Sequence, residues 1–190
     1  IFRAFCEPNQ DSILTLPPTY GMYSVLAQLN SIENIEVCLT SDFKIDVNQV
    51  LKQVTPSTKL LFLCSPNNPS GNVMDVNAVT KLLKGFNGLV IIDEAYIDFT
   101  GLESWTQRLN EFPNLIVTQT LSKAYGLAGI RLGTCFSSKE IIAVLNKIKP
   151  PYNINTLTQN AAIDALQTNE VFGQVSLIIN EREKLSSALE

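Results

Sequence analysis

KLLFLCSPNNPSG, residues 59–71, decides the fold together with the two segments that follow it. The run LLFLC is continuously apolar, which is typical of a strand buried on both faces of a sheet. The polar loop SPNNPSG leads into DVNAVTKLLKGF (75–86), whose apolar spacing predicts a helix, and then into LVIID (89–93), a second buried strand. A strand, a helix and a strand in this order predict two parallel strands of an α/β sheet.

The same alternation of apolar runs and helical patterns extends along the rest of the chain. Because the runs are apolar throughout, they predict an α/β fold with a mainly parallel sheet covered on both faces. Ligands of such sheets bind at the carboxyl ends of the strands. The remaining strands are predicted at Ser12–Leu16, Ile35–Thr40, Leu115–Thr120 and Ile130–Ser138, and the remaining helices at 1–8, Thr19–Asn30, Val47–Val54, 139–149, 157–168 and the C-terminal segment.

Composition narrows the function classes before any motif is considered. A chain of 190 residues that is 45% hydrophobic and 17% charged is a globular protein with a large core. Its net charge of −4, without basic runs, disfavours nucleic-acid and anionic-membrane partners. The absence of histidine excludes Ser-His-Asp triads and histidine-containing zinc sites, and we expect no metal. Cysteines without a CxxC pair favour a reducing, cytoplasmic location, and the apolar runs are too short to span a membrane.

Polar side chains follow the ends of several predicted strands, and they form the candidate site. Each has an ordinary structural explanation as well. Asn68 is a common turn former, and Asp93 is a common helix cap or ion-pair partner. Thr120 and Ser122 could cap a following helix, and Arg131 could be a structural ion-pair partner. The complete set is Tyr20, Asn67, Asn68, Asp93, Tyr96, Thr120, Ser122, Lys123 and Arg131, the last of which opens a predicted strand.

Taken together, these residue types match the needs of one cofactor, pyridoxal phosphate (PLP). Its aldehyde needs a lysine amine, which Lys123 supplies, and its pyridine nitrogen stays protonated only opposite a carboxylate such as Asp93. Its phosphate needs a cation and hydroxyl donors, and its ring needs a flat side chain to stack on. A lysine beside apolar residues is by itself an ordinary surface residue, so the inference depends on the whole set.

Three motifs, SPNNPSG (65–71), IIDEAY (91–96) and TLSKAYGLAGIRLG (120–133), resemble those of the aspartate-aminotransferase-like, fold-type-I PLP enzymes. With PPTYGMY (17–23) and DEAYIDF (93–99) added, the chain is similar to the histidinol-phosphate aminotransferase family within that group. The resemblance extends along essentially the whole chain. It implies a three-layer α/β/α large domain that binds PLP, as in aspartate aminotransferase.

The resemblance also implies a role for each residue of the candidate site. Lys123 would form the Schiff base with the cofactor and then act as the base that moves a proton. The implied cofactor ligands are Asp93 at the pyridinium nitrogen, Asn68 and Tyr96 at the phenolic oxygen, Tyr20 stacked on the ring, and Thr120, Ser122 and Arg131 at the phosphate. The implied reaction is amino-group exchange between L-histidinol phosphate and 2-oxoglutarate in histidine biosynthesis, carried out by a homodimer.

The division into domains follows from the same resemblance. Residues 1–150 would form the core of the large PLP-binding domain, and residues 151–190 would form helices that lead to an absent small domain. We expect the family's upstream phosphate-binding segment, partner-reaching tyrosine and substrate-binding arginine to lie outside this chain, which would leave an isolated fragment incomplete. The alternatives are an aromatic aminotransferase, a threonine-phosphate decarboxylase, or a non-catalytic PLP-binding domain that is truncated or serves as a ligand sensor.

Overall fold

A computed structural model describes residues 1–189, in which the predicted sheet is present with six strands. The strands are β1 (Ser12–Thr15), β2 (Glu33–Glu36), β3 (Thr58–Cys64), β4 (Leu89–Asp93), β5 (Leu115–Thr120) and β6 (Gly133–Ser137). Their order across the sheet is β2-β1-β3-β4-β5-β6. Neighbouring strands are parallel from β2 to β5, and β6 pairs antiparallel with β5.

Helices connect these strands and begin at well-defined caps. Four helices have an N-cap side chain that accepts a backbone N–H of the first turn. These caps are Asp46, Asp75, Ser138 and Asn155, and the helices begin at Val47, Val76, Lys139 and Thr156 respectively. No helix within residues 1–189 is long and apolar enough to cross a lipid bilayer. The α-helices are α1 (Phe2–Phe5), α2 (Met22–Leu29), α3 (Val47–Gln53), α4 (Val76–Gly85), α5 (Lys139–Ile148), α6 (Thr156–Gln167) and α7 (Glu170–Leu189), with 3-10 helices at Ile97–Phe99, Trp105–Arg108 and Ala128–Ile130.

The core lies on both faces of the sheet because successive strand residues point in opposite directions. On one face, Leu61 and Leu63 of β3 belong to a buried cluster that includes Val79 of α4. On the other face, Phe62 packs in a second buried cluster with Ala27 of α2. Helices therefore cover both faces, which confirms the predicted three-layer α/β/α fold with a mainly parallel sheet.

The predicted strand at Ile35–Thr40 is wrong in its bounds, because the observed strand β2 begins and ends earlier. Beyond β2, the Leu39 N–H still donates to the Pro17 carbonyl oxygen at 2.7 Å. Pro17 has no N–H with which to continue the ladder, so regular pairing with β1 stops there. Similarly, α2 begins at Met22 rather than at the predicted Thr19.

The predicted strand at Ile130–Ser138 also begins too early, and Arg131 does not open it. Ile130 ends a 3-10 helix, and Arg131 follows in the left-handed region with φ of +56°. A left-handed residue cannot continue a strand, so β6 begins at Gly133. Because β6 runs antiparallel and Gly133 pairs with Thr120, the start of β6 lies at the carboxyl edge of the parallel strands.

A buried carboxylate, Glu94, holds the segment after β4 in place. Glu94 is 1% exposed and lies directly after the strand. Its Oε1 accepts the Trp105 backbone N–H at 2.7 Å, and its Oε2 accepts the Ser104 hydroxyl at 2.5 Å and the Gln119 side-chain amide at 2.8 Å. These bonds join the 3-10 helix that begins at Trp105 to the ends of β4 and β5.

The substitution Glu94→Ala is expected to lower the free energy of unfolding by about 3 kcal/mol, because it leaves buried donors without their acceptor. Urea unfolding followed by the fluorescence of Trp105, the only tryptophan, measures this loss. Glu103→Ala is the matched control, since Glu103 is exposed, and it should change stability by no more than about 0.5 kcal/mol. Equal small losses in both variants would contradict the role given to Glu94.

Candidate active site

A cavity of about 340 Å³ opens at the carboxyl edge of the sheet. This volume is within the range of pockets that hold small ligands, about 300–1,000 Å³. Every residue predicted to be catalytic or cofactor-binding lines this cavity. The complete lining is Tyr20, Cys64, Asn68, Asp93, Ala95, Tyr96, Thr120, Ser122, Lys123, Ala128 and Arg131.

The topology of the sheet explains why residues so distant in sequence meet here. Tyr20 follows β1, Asn68 follows β3, Asp93 ends β4 and Lys123 follows β5. These strands are parallel, so their carboxyl ends lie at one edge of the sheet. Arg131 reaches the same edge from the opposite direction, because it precedes the antiparallel strand β6.

Asp93 is the half-buried carboxylate of the site, and both of its oxygens are hydrogen-bonded. Its Oδ2 accepts the Tyr23 hydroxyl at 2.7 Å, and its Oδ1 accepts the Ala95 N–H at 3.1 Å. Burial raises the pKa of Asp93, while these hydrogen bonds and the charge of Lys123 act in the opposite direction. Asp93 forms no salt bridge among residues 1–189, so the ion-pair explanation for this residue is wrong.

Thr120, Ser122 and Arg131 form the hydroxyl-rich and cationic side of the cavity. The Ser122 N–H donates to Thr120 Oγ1 at 3.1 Å, and the two hydroxyl oxygens are 2.9 Å apart. The chain then turns at Gly126, with φ of +65°, into a 3-10 helix, so neither hydroxyl caps an α-helix. Arg131 Nη1 donates to the Ala128 carbonyl at 2.9 Å, and Arg131 forms no salt bridge with a described residue.

Lys123, Tyr96 and Asn68 supply an amine, a phenol and an amide to the same cavity. The Lys123 side chain is exposed, and its Nζ lies 5.2 Å from the centroid of the Tyr96 ring. Asn68 is half-buried, in a turn where the Gly71 N–H donates to the Asn67 carbonyl at 2.8 Å. Asn68 is thus part of a turn, as its residue type predicts, and its side chain also lines the cavity.

A larger cavity of about 610 Å³ adjoins this one and shares Asn68 and Tyr96 with it. Its other walls come from the loop that carries Asn68, the segment from Phe99 to Leu102, and α7 between Ile178 and Arg182. Asp93, Lys123 and Arg131 do not line it. We therefore assign the chemistry to the smaller cavity, where these charged groups lie.

The loop that carries Tyr20 is joined to the loop that carries Asn68 through one buried side chain, Asn67. Asn67 is 3% exposed, and its Nδ2 donates to the Pro18 carbonyl at 2.9 Å and to the Ser70 hydroxyl at 2.6 Å. Its Oδ1 accepts the Thr19 hydroxyl at 3.0 Å. Asn67 therefore fixes the distance between two walls of the smaller cavity without lining that cavity.

The sequence pattern did not identify four residues of the site, namely Tyr23, Cys64, Ala95 and Ala128. Cys64 lines the cavity, its thiol donates to the Pro66 carbonyl at 3.3 Å, and burial raises its pKa. Tyr23 contacts the site through Asp93. One signal could have found Tyr23, because it is spaced three positions after Tyr20 at the start of a helix, and such pairs share a face.

The donor set fits the cofactor that the sequence predicts. The cavity combines an amine, a carboxylate that has no cationic partner among residues 1–189, two adjacent hydroxyls beside a guanidinium, and aromatic rings. Such a set suits a small, flat, anionic molecule that carries a carbonyl group and a basic ring nitrogen. Within residues 1–189, no group of Cys, Asp and Glu side chains is arranged to hold a metal ion.

The fold is that of the class I and II aminotransferases. The family model for aminotransferase class I and II matches residues 1–190, so the chain belongs to that family. Its curated relatives include the histidinol-phosphate aminotransferases of Flavobacterium johnsoniae, 57% identical, and Christiangramia forsetii, 59% identical, each over 190 residues and 100% of this chain. Both alignments cover 54% of the relative, so the chain spans about half the length of the curated relatives it matches.

Solved structures agree with this assignment. The histidinol-phosphate aminotransferase from Clostridium acetobutylicum superimposes with a TM-score of 0.87 and 26% identity, over 94% of this chain and 55% of that one. A Thermus thermophilus aspartate aminotransferase variant gives a TM-score of 0.83 at 23% identity, over 94% of this chain and 52% of that one. The second similarity concerns the fold alone, and it confirms the predicted aspartate-aminotransferase-like architecture.

The substitution Asn67→Ala is expected to lower the free energy of unfolding by about 2 kcal/mol, because the Pro18 carbonyl and the Thr19 hydroxyl lose their partner. Chemical unfolding measures the change. Asn87→Ala is the control, since Asn87 is exposed and should be replaced at a cost of no more than about 0.5 kcal/mol. If both variants were equally stable, Asn67 would not join the two loops as described.

Proposed function

We propose that this chain is the PLP-binding part of a histidinol-phosphate aminotransferase. The reaction is amino-group exchange between L-histidinol phosphate and 2-oxoglutarate in histidine biosynthesis. One observation carries the proposal: the eight residues predicted to bind the cofactor, drawn from four loops and two strand ends, line a single cavity. The curated relatives that are 57% and 59% identical to this chain over 190 residues supply the name of the reaction.

Each side chain then has a defined task. PLP supplies, when bound, an aldehyde that takes up an amino group and a ring that accepts electrons. Lys123 would hold the aldehyde and would move the proton at the carbon that carries the amino group of the substrate. Asp93 would hold the proton on the pyridine nitrogen. The other ligands would be Asn68 and Tyr96 at the phenolic oxygen, Tyr20 against the ring, and Thr120, Ser122 and Arg131 at the phosphate.

The local charges suit this assignment. Arg131 keeps most of its N–H groups free of protein acceptors within residues 1–189, and a guanidinium can bind a phosphate through two parallel hydrogen bonds. Asp93 retains lone pairs on both oxygens after accepting one hydrogen bond on each. The cavity therefore offers a cation for an anionic group and a carboxylate for a protonated nitrogen.

We further propose a cytoplasmic homodimer, as in the predicted family. Its support is the set of large apolar side chains that stay exposed, among them Leu29 at 73%, Leu157 at 82% and Phe172 at 67%. Apolar surface of this extent is typical of a region that other protein covers. We also propose that residues 1–150 form the core of the large domain and that residues 151–190 lead towards a small domain. The beginning of α7 packs on the large-domain core, where Val171 and Val175 contact Ala124.

The substitution Lys123→Ala, made in the natural protein that contains this chain, should abolish the visible absorbance that PLP acquires on binding. The reason is that alanine has no amine to hold the aldehyde. Absorbance titration with PLP measures the effect, and Lys147→Ala is the control, because Lys147 is an exposed lysine outside the cavity. A visible band that survives Lys123→Ala would show that another lysine binds the cofactor.

An assay of several amino donors with the same natural protein identifies the substrate. With 2-oxoglutarate as acceptor, kcat/KM for L-histidinol phosphate should exceed kcat/KM for phenylalanine at least about tenfold. This preference corresponds to about 1.4 kcal/mol. Threonine phosphate should release no carbon dioxide. Preference for phenylalanine or decarboxylation of threonine phosphate would identify one of the alternative enzymes. Tight PLP binding without any turnover would identify a non-catalytic domain.

A further inference from the structure

We propose that Tyr23 is a positioning residue that acts through Asp93, holding this carboxylate in place and in its ionised form for the pyridine nitrogen of the cofactor. This inference rests on the proposed function. Tyr23 does not line the cavity, and it contacts the site through its hydroxyl, which donates to Asp93 Oδ2 at 2.7 Å.

The position of the Tyr23 hydroxyl is fixed by the packing of its ring. Tyr23 is 6% exposed, and its ring stacks on Phe62 of β3 with centroids 4.9 Å apart and an interplanar angle of 25°. Phe62 stacks in turn on Phe2, at 5.2 Å. A ring held between a helix and a sheet has little rotational freedom, so its hydroxyl is directed at one acceptor.

Asp93 is thereby held at two points. Tyr23 binds Oδ2, and the Ala95 N–H binds Oδ1 at 3.1 Å. Two donors on different oxygens define the plane of the carboxylate, and each oxygen keeps a lone pair for a further donor in the cavity. Without the hydroxyl, Asp93 would keep the Ala95 N–H, two positions along the same chain segment, and the Thr118 side chain, and it would lose its donor from α2.

The same contact acts on the charge of Asp93. The titratable groups that face it are Tyr23 from α2, Cys64 from β3 and Lys123 from the loop after β5. Burial raises the pKa of Asp93, and the hydrogen bond from Tyr23 is the largest of the influences that lower it. Burial also raises the pKa of Tyr23, so its hydroxyl keeps its proton and remains a donor.

Tyr23 also contacts the aromatic ring that is proposed to stack on the cofactor. The rings of Tyr20 and Tyr23 meet edge to face, with centroids 5.5 Å apart and an interplanar angle of 86°. One buried side chain therefore supports both the carboxylate at the ring nitrogen and the aromatic side chain at the ring face. This double contact explains why a tyrosine, rather than an apolar residue, is suited to this core position.

The experiment compares Tyr23→Phe with the unchanged natural protein. Phenylalanine keeps the stacked ring and removes only the hydroxyl. We expect PLP to bind about tenfold more weakly at neutral pH, as expected when a hydrogen bond to a charged group is lost. Tyr152→Phe is the matched control, because Tyr152 is 95% exposed and lies outside the cavity. Circular dichroism establishes that both variants fold.

The pH dependence of PLP binding separates a charge effect from a packing effect. PLP affinity should rise with pH as Asp93 ionises, because only the carboxylate holds the nitrogen proton. Since Tyr23 lowers the pKa of Asp93, this rise should move to higher pH in Tyr23→Phe. If Tyr23→Phe bound PLP more weakly but its affinity rose at the same pH as in the unchanged protein, the role of Tyr23 would be merely structural. That result would overturn the proposal.

A double-mutant cycle tests whether Tyr23 acts through Asp93. In an Asp93→Asn background, Tyr23→Phe should cause less than about a twofold further loss of PLP affinity, because the charge it supports is gone. The same tenfold loss in both backgrounds would overturn the proposal. Unchanged affinity and unchanged pH dependence in Tyr23→Phe would also overturn it, while leaving the proposed function intact if the unchanged protein binds PLP.

The remaining outcome is that the unchanged protein shows no saturable PLP binding, which would contradict the proposed function itself. The contact is then tested in the cofactor-free protein by carboxyl-carbon NMR, with the Asp93 signal assigned through Asp93→Asn. Titration of Asp93 at higher pH in Tyr23→Phe would support the effect of Tyr23 on its charge. An unchanged titration would refute it.

Discussion

Parallel strands that are buried on both faces are the constraint on which the rest of this structure depends. In β3, β4 and β5 the side chains of both faces are enclosed by helices, so polar groups can follow only where a strand ends. Because these strands are parallel, their polar ends meet at one edge. The candidate active site is a direct consequence of this arrangement, since Asp93 ends β4 and the other groups follow neighbouring strands.

Some charges on the surface form ion pairs, whereas the two charges of opposite sign at that edge do not pair with each other. Exposed pairs such as Lys44 with Asp42, 2.5 Å apart, and Arg108 with Glu111, 2.7 Å apart, neutralise one another. Asp93 and Lys123 line the same cavity without forming a salt bridge. Charged groups kept apart in a cavity are common at functional sites, because a bound molecule then supplies their partners. A carboxylate and an amine that line one cavity without pairing support a ligand site more strongly than either residue does alone.

Uncharged or hydrogen-bonded groups hold these charges in position. Asn67 joins two loops, and Glu94 joins the end of β4 to the segment that begins at Trp105. Tyr23 connects the apolar core to Asp93. Each of these three side chains is less than 9% exposed and forms at least one hydrogen bond to a part of the chain that is distant in sequence. The positions of the side chains that line the cavity therefore depend on buried residues that do not line it themselves.

The sequence by itself determined the fold class, the strands β1, β3, β4 and β5, and eight of the residues that line the cavity. Apolar runs and turn residues are local features, and the parallel topology then requires that strand ends converge. Only the tertiary structure decided where β2 ends, which depends on the missing N–H of Pro17 just beyond the neighbouring strand β1. It alone placed Arg131 in a left-handed turn before β6, and it alone joined Tyr23 to Asp93. The end of β2 and the bond from Tyr23 to Asp93 are contacts between distant segments. Neither periodicity nor composition records which side chains will meet.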